Sequence, residues 1–320
     1  MSFSSEVKRE IIENRIKRAD DALALLSAFT LGNGSIVFSA KTRSWGMRFV
    51  SENEATILLI SKLAERYYGV ECEVSRVEHE RLSAVYHELH MYGEKLEGYM
   101  LDTGFLSLDV MGSPCFRIKV PCERITTETQ KKAFLRGLFL ACGTVAEPKT
   151  AYRAEFVVKH EEVMDFAVSV MQEFNIKYST AKRRNSKVLY IKDGDSLENL
   201  LALLGASSAM MEVSEIRIVK QANNEANRGV NCITANISRS ARTSLKQVES
   251  IEIIRKTMGL DKLPQSLRIV AEARLNNRDL TLNELSEELQ MGKAAVHYRL
   301  SKLSEIAEEL KNDNTPKRLY

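Results

Sequence analysis

One twelve-residue pattern occurs twice in this chain, and any fold must place the two copies in equivalent surroundings. Leu25 to Ile36 reads LLSAFTLGNGSI, and Phe134 to Val145 reads FLRGLFLACGTV. Both carry an apolar pair, a small or basic residue, an Ala or Gly, four mostly apolar positions and, after Asn33 or Cys142, a Gly followed by Ser or Thr and a β-branched residue. Each copy opens a similar run of segments, which indicates an internal duplication of roughly a hundred residues per copy. Ser27, Ala28 and Gly32 in the first copy, and Gly137 and Ala141 in the second, lie about one turn apart. Two such helices present flat seams on which backbones can approach closely. Gly34 and Gly143 are placed to stop them, as C-terminal glycines do.

The order of elements around the motifs repeats as well. Ser4 to Asn14 reads as an opening helix capped at Ser4 or Ser5. After the first motif, Ile36–Phe38 and Met47–Val50 form a hairpin pattern, and Ser51 caps a helix through Tyr68 that Gly69 stops. Val70–Arg76 and Leu82–Leu89 read as two further strands, and a helix follows near Gly93 to Asp102. Phe116–Pro121 is a short strand or extended joint. In the second copy Thr126 or Thr127 caps the motif helix, and Tyr152–Val158 is a strand. The helix Glu161–Phe174, the hairpin Ile176–Ala181 with Lys187–Lys192, and the helix Ser196–Leu204 follow. A shift of about 109 residues, the separation of Gly34 from Gly143, superposes the two series.

Charge is unevenly spread. Lys177, Lys182, Arg183, Arg184, Lys187 and Lys192 crowd the last hairpin, and Lys41, Arg43 and Arg48 mark the first. Lysines and arginines on such a face would neutralise phosphates, although solvated hairpins are often basic. Residues 221–260 read as a basic linker, rich in Asn, Ala and Ser and poor in large apolar side chains, that packs badly on its own. Arg228, Arg239 and Arg242 within it are candidate phosphate contacts. A solvated linker with helical ends is the alternative, and helical periodicity returns from Ser244 to Met258.

Residues 261–320 have the pattern of a helix-turn-helix domain. Pro264 opens a helix to about Asn276, and Thr281 with Glu284 forms a capping box for a second. A third helix, Lys293 to Glu305, follows the turn Gln290-Met291-Gly292, with Val296, Leu300 and Leu303 inward. Lys293, His297, Tyr298, Arg299 and Lys302 then lie on or near its outward side, and Ala294 permits close approach to a groove floor. Arg299 or Lys293 could donate to guanine. His297 has no Cys or second His at ligand spacing, so it is a phosphate or base contact rather than a metal ligand.

The totals permit this organisation. A chain of 320 residues can bury two or three ordinary cores, and a net charge of +3 permits nucleic acid without requiring it. Five cysteines without a CxxC pair argue for reduced thiols rather than a zinc site or disulfide framework. No apolar run approaches the ~18 residues needed to span a bilayer. The expectation is a cytoplasmic, nucleoid-associated monomer that uses no metal and no cofactor.

The duplicated pattern resembles the LAGLIDADG motif of homing endonucleases, whose two motif helices form the central seam of a pseudo-twofold domain. The resemblance implies an α+β fold: a duplicated αββαββα domain over residues 1–220, with repeats at about 1–105 and 125–220, followed by an all-α helix-turn-helix domain. In that family the eighth motif position is acidic in each repeat, and the two carboxylates hold divalent metals for strand cleavage. Here those positions are Asn33 and Cys142. Neither is the hard, charged oxygen ligand that Mg²⁺ prefers, so the scaffold is expected not to cut. The degenerate duplication, the segment NRGVNCITANIS, and the runs LPQSLRIVAEARL and KAAVHYRLSKLSEIAEEL together are similar to the WhiA family of bacterial regulators. That resemblance implies a non-enzymatic, sequence-specific DNA-binding regulator linked to cell division, chromosome segregation and, in sporulating relatives, sporulation. Double-stranded DNA is the expected partner, with a possible protein partner on the nuclease-like domain. A protein-interaction scaffold with nonspecific DNA tethering, and a residual metal-dependent nuclease, are the rival readings.

Overall fold

A computed structural model describes residues 2–39, 44–79, 84–183 and 186–313. The chain divides into two compact units, Met1–Lys220 and Gln221–Tyr320.

In the first unit α1 (Phe3–Glu13) buries Phe3, Val7 and Ile11, spaced four apart on one face. Its cap is Ser2 rather than Ser4 or Ser5, because the Ser2 hydroxyl accepts from the Ser5 N–H at 3.3 Å. The first motif helix, α2 (Ala19–Asn33), is buried without interruption from Ala22 to Leu31, as a helix enclosed on all sides must be. Strands β1 (Ser35–Ser39) and β2 (Ser44–Ser51) lead to α3 (Glu54–Tyr68). Asn53 caps α3 by accepting from the Thr56 N–H, while Ser51, the expected cap, accepts from Asn53 N–H just outside the helix. Gly69 ends α3 in the left-handed conformation, with φ of 66°. Then come β3 (Glu71–His79), β4 (Ala84–Tyr92) and α4 (Leu96–Asp102).

The joint between the copies carries a two-residue ladder, β5 (Ser107–Leu108) with β6 (Pro114–Cys115). Phe116–Pro121 runs on from it and joins no sheet; its Lys119 N–H donates instead to Gly104 O at 2.9 Å. The second copy comprises α5 (Glu128–Cys142), β7 (Gly143–Val145), β8 (Ala154–Val158), α6 (Glu161–Glu173), β9 (Ser179–Arg183), β10 (Ser186–Ile191) and α7 (Gly194–Leu204). Thr127 and Gln130 close the capping box of α5. The two antiparallel sheets have corresponding orders, β1-β2-β4-β3 and β7-β8-β10-β9. This is the duplicated αββαββα arrangement, with each motif helix backed by a four-stranded sheet.

The seam between α2 and α5 depends on small residues. A side chain on Gly137 would sit on the Leu25 carbonyl oxygen, and a Cβ on Gly32 would come within 2.9 Å of the Ala141 Cβ. Each motif helix also lays a ring on its own sheet, Phe29 on Phe49 and Phe139 on Phe156, both at 5.7 Å between centroids. Gly34 and Gly143 end these helices differently from the expectation. Both have negative φ and extended backbone, so no left-handed cap forms. They are glycine because of crowding: a Cβ at Gly34 would lie 2.6 Å from Thr30 O and 2.9 Å from Met47 Cε.

The largest departure from the sequence reading is α8 (Ser207–Thr257), a single helix of 51 residues. The stretch expected as a linker is helical to Thr257. Every side chain from Gln221 to Arg239 is exposed, including Val230, Ile233 and Ile237 at helical spacing, and the segment contains no proline to end the helix. Further along, α8 enters the core of the second unit through Val248, Ile251 and Ile254. That unit is completed by α9 (Gln265–Asn276), α10 (Leu282–Glu288) and α11 (Lys293–Asp313). Val270, Leu285, Val296, Leu300 and Leu303 close its core. No helix among the described residues is long and apolar enough to cross a membrane.

Candidate nucleic-acid interface

The helix-turn-helix is set by local chemistry. Thr281 and Glu284 bond reciprocally at the start of α10, and Gln290, with φ of 49°, makes the left-handed bend before α11. Gly292 has no such conformation; Gln290 takes it because α10 ends one turn earlier. Burial of Val296, Leu300 and Leu303 turns Lys293, Ala294, His297 and Tyr298 to solvent. Arg299 and Lys302 are already engaged. The Arg299 guanidinium lies against the Met291 sulfur of the turn, and Lys302 pairs with Glu305 at 2.6 Å.

A cavity of about 280 Å³ gathers Arg239 and Asn236 of α8 with Lys293 and His297 at the start of α11. Its floor includes Ser244, Leu280 and Arg274. Arg274 is 2 % exposed, and its Nη1 donates to Ser244 Oγ at 3.2 Å, Asn277 O at 3.3 Å and Leu280 O at 2.6 Å. These bonds tie the loop after α9 to α8 and hold the cavity open. Among the described residues the ion pairs of this unit include Arg255–Glu252, Arg268 with Asp261 and Glu272, Arg278–Glu252 and Lys302–Glu305. Arg239, Arg242 and Lys293 belong to none of them. Sequence reading found Arg239, Lys293 and His297 separately but had no signal for their meeting, nor for Asn236 or Arg274. Arg228 is also exposed on α8, with its Nε donating to Asn224 O at 3.3 Å, but it does not line this cavity.

The last hairpin of the first unit is less concentrated than its composition suggests. Lys182 pairs across to Lys187, which pairs with Val158, so both lysines share the sheet face that carries buried Val158. Lys187 forms an ion pair with Glu161 of α6. Arg183 points to the opposite face, Lys192 lies over the Tyr190 ring at 4.7 Å, and Arg184 falls outside the described residues. In the first sheet Arg48 pairs with Glu88 at 2.5 Å, and His90 reaches the other Glu88 oxygen at 3.3 Å. Lys41 and Arg43 fall outside the described residues.

The feet of the motif helices do not fit divalent metals. Asn33 accepts from Val50 N–H and donates to Val50 O, each at 3.0 Å, with a longer bond to Ala141 O at 3.4 Å. Its amide oxygen is thereby committed to the backbone of β2. The Cys142 thiol donates to Leu138 O, and burial pushes its pKa up to about 12. At neutral pH it is a neutral thiol, not a metal-binding thiolate. Lys8 lies close enough to Cys142 to act on its titration, a cation where a metal-binding site would need anions. Among the described residues no group of three or more His, Cys, Asp or Glu could hold a metal ion.

A family model described as the WhiA LAGLIDADG-like domain matches residues 22–87 and 131–223, and one described as the WhiA C-terminal HTH domain matches residues 226–307. A protein named "Probable cell division protein WhiA" from Clostridium botulinum (strain Eklund 17B / Type B) is 35% identical over 318 residues, covering 98% of this chain and 100% of that protein. A protein of the same name from Clostridium beijerinckii is 35% identical over 316 residues, covering 97% of this chain and 99% of that protein. Among solved structures, full-length DUF199/WhiA from Thermatoga maritima aligns with a TM-score of 0.58 and 26% identity, over 97% of this chain and 99% of that one.

Proposed function

The chain belongs to the WhiA family, and from that membership we propose that it is a sequence-specific DNA-binding regulator of cell division that cuts no DNA. The observation that carries this reading is the convergence of Arg239, Lys293 and His297, from two helices, on one exposed cavity at the start of α11. Cations without acidic partners gain most from releasing the counterions of a duplex. The first residues of a recognition helix are also those that approach base edges. Lys293, Ala294, His297 and Tyr298 are the base-facing set, with Asn236, Arg239 and Arg242 on phosphates. Arg228 contributes a peripheral phosphate contact, and Arg299 and Lys302 support the helix more than they read sequence. Lys182 and Arg183 face opposite ways, so the last hairpin is at most a secondary contact.

The protein acts as a monomer in the cytoplasm, on the nucleoid, and its role extends to chromosome segregation and, in sporulating relatives, to sporulation. The first unit is a platform for a protein partner, a reading favoured by Arg48, Glu88 and His90 neutralising one another on its first sheet. Selection of the full-length chain on random duplexes tests the assignment. One enriched site with strongly salt-dependent affinity is expected, and no enrichment contradicts it. Incubation of that duplex with Mg²⁺ or Mn²⁺ is expected to leave it intact. Nicking that depends on the metal and on the first unit would return the protein to the nucleases.

A further inference from the structure

A second cavity, of about 450 Å³, lies beside the foot of α5, within the first unit. Ser2, Ser4, Ser5 and Lys8 line it from α1 and its cap, Val50, Ser51, Glu52 and Asn53 from the end of β2 and the approach to α3, and Leu140, Ala141 and Thr144 from the second motif. Glu52 brings one carboxylate, an acceptor only, and the remaining polar groups keep hydrogens to donate. The Ser4 hydroxyl already accepts from the Val145 N–H, the Ser51 hydroxyl from the Asn53 N–H, and the Asn53 side-chain oxygen from the Thr56 N–H. Each still has hydrogens to offer: two hydroxyl O–H groups and a carboxamide NH₂.

Lys8 completes the set. Its ammonium is half-buried and, among the described residues, takes part in no ion pair or hydrogen bond; Glu52 acts on it only at a distance. Burial lowers its pKa, the direction expected of a cation held from water without a partner. An ammonium in that position is costly unless an anion joins it.

We propose that this cavity binds a phosphate group, with Lys8, Ser4, Ser51 and Asn53 as its donors. Four donors from two chain segments, α1 and the stretch from β2 to α3, suit a tetrahedral oxyanion better than a planar carboxylate. The volume exceeds a bare phosphate, and Val50, Leu140 and Ala141 supply an apolar wall suited to a nucleoside. The phosphate belongs either to a free nucleotide or to a duplex backbone.

The test uses the full-length chain, with ADP as probe, adenosine as the phosphate-free control, and the selected duplex as a third ligand. Lys8→Met removes the charge, Lys8→Arg keeps it, and Asn53→Asp keeps the helix cap while placing a carboxylate in the cavity. Binding of ADP but not adenosine, weakened about tenfold or more by Lys8→Met and Asn53→Asp and retained in Lys8→Arg, assigns the site to a free nucleotide. Silence with ADP, together with a similar loss of duplex affinity in the same two variants, assigns it to a backbone phosphate. The ligand-free melting midpoint of Lys8→Met is expected not to fall, which separates lost binding from lost folding. If neither ligand responds to either substitution in folded protein, the proposal is overturned.

Discussion

The two units use their cations in opposite ways. In the sheets of the first, Arg48 is held by Glu88, Arg76 by Glu78, Arg153 by Glu155, and Lys187 by Glu161. In the second, Arg239, Arg242 and Lys293 have no such partner among the described residues, and two of the three meet at one cavity. Both regions look basic in composition; among the described residues the first neutralises these four cations and keeps Lys8 without an ion pair in a cavity of its own, whereas the second brings Arg239 and Lys293 together for another molecule. The first unit packs its motif helices on a glycine seam, and their feet carry Asn33 and Cys142, an amide and a thiol bonded to backbone. The locations of cations matter less here than whether the fold has already neutralised them.

The strongest way to break this comparison is at the seam. Gly137→Val drives a side chain into the Leu25 carbonyl and is expected to cost about 3 kcal/mol or more. Gly98→Ala is the control, since nothing lies within 4 Å of a Cβ there, and it is expected to be neutral or to stabilise by up to about 1 kcal/mol. Denaturant unfolding followed in the full-length chain measures both. Next comes DNA affinity. Arg239→Ala and Lys293→Ala are each expected to cost about 1 to 3 kcal/mol and together to lower the salt slope by roughly two, while Arg48→Ala changes neither.

Arg274→Met leaves the Leu280 and Asn277 carbonyls without their donor and is expected to destabilise the second unit by about 2 kcal/mol. Hydrogen exchange should report the loss in α9 to α11 and not in α2 or α5. Thr281→Ala, which removes one half of a capping box, is expected to cost about 1 kcal/mol, visible as a lower melting midpoint. Smallest in energy is a labelling difference. With its pKa near 12, Cys142 stays protonated and is expected to resist maleimide from about pH 7 to pH 9, whereas exposed Cys232 reacts. Fast labelling of Cys142 in folded protein would mean that the foot of α5 is open.

What the sequence made legible was whatever buries an apolar face or carries a local cap. The duplication, the αββα order, the Thr127 and Thr281 caps, and the inward set Val296, Leu300 and Leu303 all belong to that class. The α8 segment from Gln221 to Arg239 reads as a linker from its Asn-rich, basic composition, which outweighs the short stripe of Val230, Ile233 and Ile237 at helical spacing that stays in water. The meeting of Arg239 with Lys293 was hidden for the same reason: without the helix there is no register to bring residues 54 apart in sequence together. The hairpin misleads in another way. Six basic residues in a row of strands look like one patch, but alternation of side chains sends Lys182 and Arg183 to opposite faces. Lys8 carried no signal, since in the first helix it stands beside Arg9 with nothing in the sequence to separate the two.

The most direct test of the account is the affinity of the full-length chain for its selected duplex, measured across a salt series for two double variants. Arg239→Ala with Lys293→Ala is expected to abolish the preference for the selected over a scrambled duplex, while Lys182→Ala with Arg183→Ala preserves it. If the hairpin pair removes the preference and the helix pair does not, the nuclease-like unit reads the DNA, and the roles assigned to the two units are reversed.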